Sequence, residues 1–283
     1  MVKNTNDYKF RPLDYLLSLS DNTKTEESFL NINQKNARNL ALYFLLINIM
    51  QETNIPFFVK GGIISYYYLK DHARETCDID IIIGEDSDSF YKKLGELLNV
   101  CKMDFSFFIT KYEKIPPSDK FYYDEFYFEI EVKYKGEVYD IITIDGVVSP
   151  IFKETNGLLY QAPKIIKNGF SFFGVELEYI LAEKIIAITN ELSRPYKHLV
   201  DVYSMINVNI NIDLLKKYLL LINQMDNEKR LVFNKEIKDN NFYINDNKEF
   251  IGSFILAELN AGYNISFTEM KEEINNWLAK FIN

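Results

Sequence analysis

At 283 residues the chain can form one large domain or two modest ones, and 47% hydrophobic with 26% charged residues is the make-up of a folded protein. The formal charge of -9 argues against nonspecific coating of nucleic acid, which needs a dense basic surface to displace counterions from phosphates. Two Cys and two His are too few for a disulfide framework or a zinc centre, so any metal must be held by carboxylates. No charged leader opens the chain and no apolar run reaches bilayer length, which predicts a cytoplasmic protein with no membrane partner.

Residues 1–35 are polar and punctuated and read as an arm, with one short helix around Leu13 to Leu19. From Asn36, the spacing of Leu40, Tyr43, Phe44, Ile47 and Met50 predicts a long amphipathic helix ending near Asn54. A short β-rich run, Phe57-Phe58-Val59, stops at Gly61-Gly62, and a short helix over Ile63 to Asp71 follows. Asp78-Ile79-Asp80-Ile81-Ile82-Ile83, bounded by Gly84, has the pattern of a central strand, and Ser87 caps a helix to about Val100.

The middle third predicts antiparallel strands at Asp104 to Thr110, Phe121 to Tyr134 and Glu137 to Ile144, with Lys135-Gly136 as the turn between the last two. A shorter pair, Leu158 to Gln161 and Phe170 to Phe173, completes a domain over residues 36–175. Residues 176–283 read as helical, with candidates at Glu176 to Leu192, Tyr196 to Asn207, Ile212 to Met225 and Phe267 to Ile282. The class is therefore α+β, a mixed-sheet domain followed by a helical bundle.

Chemistry concentrates between Lys60 and Asp80. Two glycines at a strand-to-helix turn let the backbone approach phosphate oxygens, and the N–H groups that start the helix point toward that charge. Alternation along a strand puts Asp78 and Asp80 on one face with Ile79 behind them. Two carboxylates that close are stable only with a proton or cation between them, and hard oxygen ligands favour Mg²⁺ or Mn²⁺ shared with substrate phosphates. A lone Asp-x-Asp or Gly-Gly is commonplace; the ordered combination inside a hydrophobic strand is what points to a site.

A third carboxylate on a neighbouring strand would complete it. Asp140 is the first choice, because it shares a strand face with Val138, Ile142 and Ile144, where an isolated acid would be costly. Asp145 and Glu131 are the alternatives. Farther on, Lys184 lies among apolar residues of a predicted helix, either snorkelling or reaching a triphosphate, and Asp201 opens the next helix as a partner for Lys184 or Lys197.

Four motifs in order carry a family resemblance over residues 36 to 207: Phe58-Val59-Lys60-Gly61-Gly62; Arg74-x-Thr76-x-Asp78-Ile79-Asp80; Leu177-Glu178 to Ala182-Glu183-Lys184; and Lys197 to Asp201-Val202-Tyr203. The chain resembles the AbiEii/AbiGii nucleotidyltransferase toxins of the DNA polymerase β-like superfamily. The resemblance implies a mixed-sheet core, a helical second domain and a nucleotide in the cleft between them. It also implies Asp78 and Asp80 as metal-binding, Lys184 as a phosphate contact and Asp201 as the acid of the last motif.

Lys60, Gly61, Gly62, Ser65, Arg74 and Thr76 would then line the nucleotide. Ile63 stands where the family commonly has Thr or Ser, with Ser65 as a substitute one turn on, and Ser204 stands where a second Asp is common.

The expected activity is metal-dependent transfer of a nucleotide from an NTP to RNA or tRNA, with a cognate antitoxin as protein partner. Two alternatives stay open: a degenerate nucleotide- or partner-binding module, motivated by Ile63 and Ser204, and a transferase acting on a small, antibiotic-like acceptor, which the negative charge suits. For RNA, Lys111, Lys114, Lys120, Lys133, Lys135, Lys164 and Lys167 would form a local basic face.

Overall fold

The computed structural model describes residues 34–69, 72–98, 105–116, 124–155, 157–162, 170–189, 195–224 and 261–282. The helix expected at Leu13 to Leu19 and three of the seven lysines, Lys120, Lys164 and Lys167, lie outside them. The chain divides into two compact units, and the division interrupts the sequence: Ile64–Glu75 belongs with the residues after Gly174, while Thr76–Gly174 belongs with those up to Ile63. The sequence marks a single boundary near residue 175, and the excursion of Ile64–Glu75 into the second unit is a property of the folded chain alone.

The first unit is built on one mixed sheet. Helix α1 (Gln34–Gln51) leads into β1 (Phe57–Lys60), α2 (Gly61–Leu69), β2 (Asp78–Ile83) and α3 (Ser87–Leu98). Three long strands follow, β3 (Phe105–Ile115), β4 (Asp124–Tyr134) and β5 (Glu137–Val148), then the short β6 (Leu158–Gln161) and β7 (Ser171–Gly174). Among the described residues the seven strands run in the order β3-β4-β5-β2-β1-β7-β6. The pairs β2/β5 and β1/β7 are parallel and the others antiparallel.

Helix α1 is more deeply placed than its periodicity implied. Every residue from Leu40 to Ile47 is buried, as are Ile49 and Met50, so the helix is covered on all sides rather than along one stripe. It packs on β7 and α3, with Phe44 against Phe172 at 5.8 Å and the Gln51 amide donating to the Ser171 carbonyl. Asn54, at φ 56, ends this segment in the left-handed region that Asn tolerates better than most residues. At the other side of the sheet, the Lys135-Gly136 turn has positive φ at both positions, the geometry of a tight hairpin between right-twisted strands.

In β2, Ile79, Ile81, Ile82 and Ile83 are fully buried while Asp78 and Asp80 keep partial exposure. The apolar face continues through Phe126, Phe128, Ile130 and Val132 of β4 and Ile142 and Ile144 of β5, where Phe90 of α3 meets Phe126 and Phe128. The opposite face, which carries the two acids, is polar.

The second unit is helical in its described parts after Gly174: α4 (Leu177–Thr189), α5 (Pro195–Ile206), α6 (Ile212–Gln224) and α7 (Phe267–Ile282). Helix α4 packs on α5 and α6, and α7 packs on α5. Tyr179 meets Tyr218 edge-on at 5.4 Å, and the Tyr218 hydroxyl donates to buried Glu176. No helix among the described residues is long and apolar enough to cross a membrane.

Candidate active site

Strand β1 ends at Lys60 and the chain turns at once into α2. Gly61 makes the turn at φ 65, and a Cβ there would fall inside the Asp80 carboxylate. Glycine is therefore required twice, by backbone conformation and by the acid lying against it. At Gly62 an added Cβ would stand 2.5 Å from the Thr76 hydroxyl oxygen. The Thr76 hydroxyl donates to the backbone carbonyl of Asp78 at 3.1 Å and lies 3.4 Å from its carboxylate. Thr76, expected among the nucleotide contacts, thus orients the first acid of the pair and packs on the glycine turn.

The cross-strand register gathers the rest. Lys60 is opposite Asp80 across β1/β2, and Asp80 is opposite Asp145 across β2/β5. Asp78 is opposite Thr143. Directly opposed residues share a sheet face with their Cβ atoms about 5 Å apart, so Lys60, Asp80 and Asp145 form a row with Asp78 beside it.

Asp140, the first choice for third carboxylate, is corrected by this register. It lies five residues from Asp145, roughly 16 Å along a strand, and belongs with Ile142 and Ile144, on the face opposite the acids. Its carboxylate accepts from the Ile141 N–H at 2.9 Å. Glu131, the other alternative, is opposite Ile141 and is paired with Lys133 at 3.1 Å.

A cavity of about 450 Å³ opens beside the row, lined by Lys60, Asp80 and Asp145 together with Lys111, Glu113 and Glu125. Burial pushes the Glu125 carboxyl up; Lys60 opposes that and Asp145 adds to it. Nearby, burial and the hydrogen bond that Tyr127 donates to Glu129 push the Tyr127 phenol up to about 12, so it stays protonated. Glu125 and Tyr127 were missed in the sequence, where they look like ordinary polar positions of an alternating strand. Only pairing β4 with β5 reveals that Tyr127 stands opposite Asp145.

Among the described residues, no three carboxylate, imidazole or thiol side chains stand close enough to hold an ion unaided. The donor set still suits Mg²⁺ or Mn²⁺, because such ions are commonly held by one or two carboxylates, with waters and substrate phosphates supplying the remaining oxygens. Asp80 and Asp145 provide that pair, and Gly61, having no side chain, lets the Asp80 carboxylate lie against the turn.

The second unit holds a separate ionic cluster. The Arg74 guanidinium grips Asp201 with two hydrogen bonds, of 2.7 and 2.8 Å, and the Lys184 ammonium donates to the same carboxylate at 2.7 Å. Burial pushes the Asp201 carboxyl up, but Lys184 and Arg74 outweigh it and hold the group well below the usual carboxylate range. Lys184 and Arg74, both expected on phosphate, are thus each committed to Asp201. Next to them His198 is pushed down to about 3 by burial and by the cations Lys184, Lys197 and Arg74, against the opposing pull of Asp201. Its Nδ1 is buried without a hydrogen-bond partner. Ser65 is buried in α2, and Ser204 is buried with its hydroxyl donating to the Val200 carbonyl.

The model of the nucleotidyl transferase AbiEii toxin family, of type IV toxin–antitoxin systems, matches residues 46–280. Similar solved structures include a putative nucleotidyltransferase from H. pylori (12% identity, 88% of this chain and 98% of that one, TM-score 0.47). JHP933 from Helicobacter pylori has 12% identity, 88% and 96% coverage and TM-score 0.44. An antigenic nucleotidyltransferase-like protein from Paracoccidioides brasiliensis has 17% identity, 69% and 91% coverage and TM-score 0.41. No curated protein sequence matches the chain.

Proposed function

The chain belongs to the AbiEii nucleotidyltransferase toxin family, and from that premise we propose that it transfers a nucleotide from an NTP to an RNA hydroxyl at the polar face around Asp80. The observation that carries the proposal is the row Lys60, Asp80, Asp145 set against the Gly61 turn. The acceptor oxygen attacks the α-phosphorus, the bond to the β-phosphate breaks and pyrophosphate leaves.

Each residue of the row has a distinct part. The N–H groups at the start of α2 face the triphosphate, where the helix end favours negative charge. Asp80 and Asp145 would hold the divalent cation, with Asp78 beside them, and the ion when bound would neutralise phosphate charge and activate the acceptor. Asp145 takes up the acceptor proton from its place beside Asp80. Lys60 offsets charge growing on the phosphate oxygens. Thr76 keeps Asp78 in place, and the Arg74–Asp201–Lys184 cluster fixes the second unit. Membership of a type IV toxin–antitoxin family supports an antitoxin as protein partner.

A second reading is favoured by one observation: the cavity beside Asp80 is lined by four acids and two lysines, a lining that suits a small cationic acceptor better than a polyanion. Incubating the protein with each labelled NTP, Mg²⁺ or Mn²⁺, and either total RNA or a panel of aminated small alcohols separates the two. Label on RNA supports the first reading and label on a small amine-bearing alcohol the second. With folded protein, no label on any acceptor refutes both.

A further inference from the structure

A second cavity, of about 320 Å³, lies wholly within the second unit and has no part in the transfer proposed above. Its walls are rings. Tyr263 is stacked parallel on His72 with centroids 4.8 Å apart and 8° between planes, and Tyr203 of α5 meets Tyr263 edge-on at 5.1 Å and 82°. His72 is anchored through Nδ1 to the Ala261 carbonyl at 3.0 Å, which ties the segment after α2 to the turn preceding α7. Leu69 and Val208 supply apolar surface.

Polar groups are set at the edge of this aromatic frame. The Asn207 side chain uses one N–H on the Tyr203 carbonyl at 2.8 Å, and an amide has a second N–H and an acceptor oxygen besides. Ser204 lines the cavity with its hydroxyl proton donated to the Val200 carbonyl, which leaves its oxygen as an acceptor. Burial pushes both phenols up, Tyr203 and Tyr263 alike, so these two rings stay protonated. Tyr203 and Ser204 lie in the last turn of α5, and Asn207 and Val208 in the turn that follows it, so the end of one helix and its exit turn bring the ring and the amide together.

We propose that this cavity binds a flat heteroaromatic ring of nucleobase size, stacked against the His72–Tyr263 frame and read at its edge by Asn207 and Ser204. Stacked rings with an amide at their rim are the elements by which proteins hold unpaired bases, since every base has a π-face and a hydrogen-bonding edge. The volume is at the small end of the range for ligand clefts, enough for one nucleoside and too little for a folded segment.

The test is calorimetric titration of the full chain with adenosine, cytidine and, as a control without an aromatic ring, ribose. Saturable one-to-one binding of a nucleoside but not of ribose is expected. Both His72→Ala and Tyr263→Ala should weaken that binding by at least about tenfold, the scale of one lost base stack. Tyr263→Phe should keep it within about threefold, since the ring is retained. His72→Ala alters an exposed residue and serves if Tyr263→Ala does not fold.

Asp80→Asn should bind the nucleoside as the unmodified chain does, so a failed transfer assay leaves this inference standing and the reverse. Displacement by a short unstructured oligoribonucleotide would assign the base to RNA; displacement by free nucleosides alone would assign it to a small ligand. The inference is overturned if no nucleoside saturates the protein by about 10 mM, or if the His72 and Tyr263 variants bind as well as the parent.

Discussion

Asp80 and Asp145 face each other across a parallel strand pair, and Lys60 faces Asp80 from the other side. If this row performs the transfer, Asp80→Asn and Asp145→Asn should each lower kcat at least about 100-fold, measured as label transferred per minute under saturating NTP. Asp140→Asn should stay within about twofold, because its carboxylate lies on the other face and bonds its own neighbour's N–H. An Asp140 variant as damaged as Asp145 would refute the register argument.

Glu125 allows a test independent of catalysis. Burial raises its folded-state pKa, so the folded chain binds the proton more tightly than the unfolded chain does. Its stabilising contribution is present below the unfolded carboxyl value and is lost as pH rises through the folded one. Glu125→Gln should therefore raise Tm at pH 7 to 8 and leave it little changed near pH 4, as thermal melts across that range would show.

The Arg74–Asp201–Lys184 cluster ties an irregular segment to two helices, α4 and α5. Removing the shared anion takes from Lys184 and Arg74 the buried carboxylate on which both are paired, so Asp201→Asn should cost about 3–5 kcal/mol in urea unfolding, more than loss of either cation alone. His198 next to it adds a pH signature. Its folded pKa is depressed to about 3 from 6.5, so the unfolded chain takes up its proton first. That contribution is present above about pH 6.5 and is lost as pH falls toward 3, at no more than about 1.4 kcal/mol per pH unit. Asp201, also depressed, adds loss only at lower pH, as its carboxyl protonates. His198→Gln should flatten the stability profile between pH 6.5 and about 4, read from urea midpoints.

These elements also show what could be read ahead of the structure. Asp78 and Asp80 were legible because alternation along a strand is local, and the Lys135-Gly136 turn because two positive φ angles favour such residues. Choosing between Asp140 and Asp145 was not. The partner strand β5 is separated from β2 by β3 and β4, and a register shift between Val132 and Lys133 breaks the alternation near Asp140. Arg74 meets Asp201 across 127 positions, a distance that no spacing rule bridges. The burial of α1 on every side was obscured because a helical stripe was counted while Ala41, Leu42, Leu45 and Leu46 between its members were not.

Charge over the full chain bears on the acceptor. Among the described residues the expected basic face is largely neutralised: Lys111 pairs with Glu113 at 3.0 Å, Lys114 with Asp88 at 2.8 Å and Lys133 with Glu131 at 3.1 Å. Lys111 and Lys133 also lie over Tyr127 and Phe108, which holds their ammonium groups near the sheet. The formal charge of -9 over the sequence adds to this, since these paired lysines offer a polyanion little free positive charge. If RNA is the acceptor, as proposed, its affinity should come from stacking and specific hydrogen bonds more than from counterion release.

The salt dependence follows. Each phosphate neutralised contributes about -0.7 to the slope of log K against log salt for a single strand, so two or three contacts give a slope no steeper than about -2. Fluorescence anisotropy of a labelled RNA 3′ end between 50 and 200 mM salt should show less than about a 20-fold loss of affinity. A slope of about -5 or steeper would mean an extended basic track on this protein and would remove the argument for a small, aromatic-led contact with RNA.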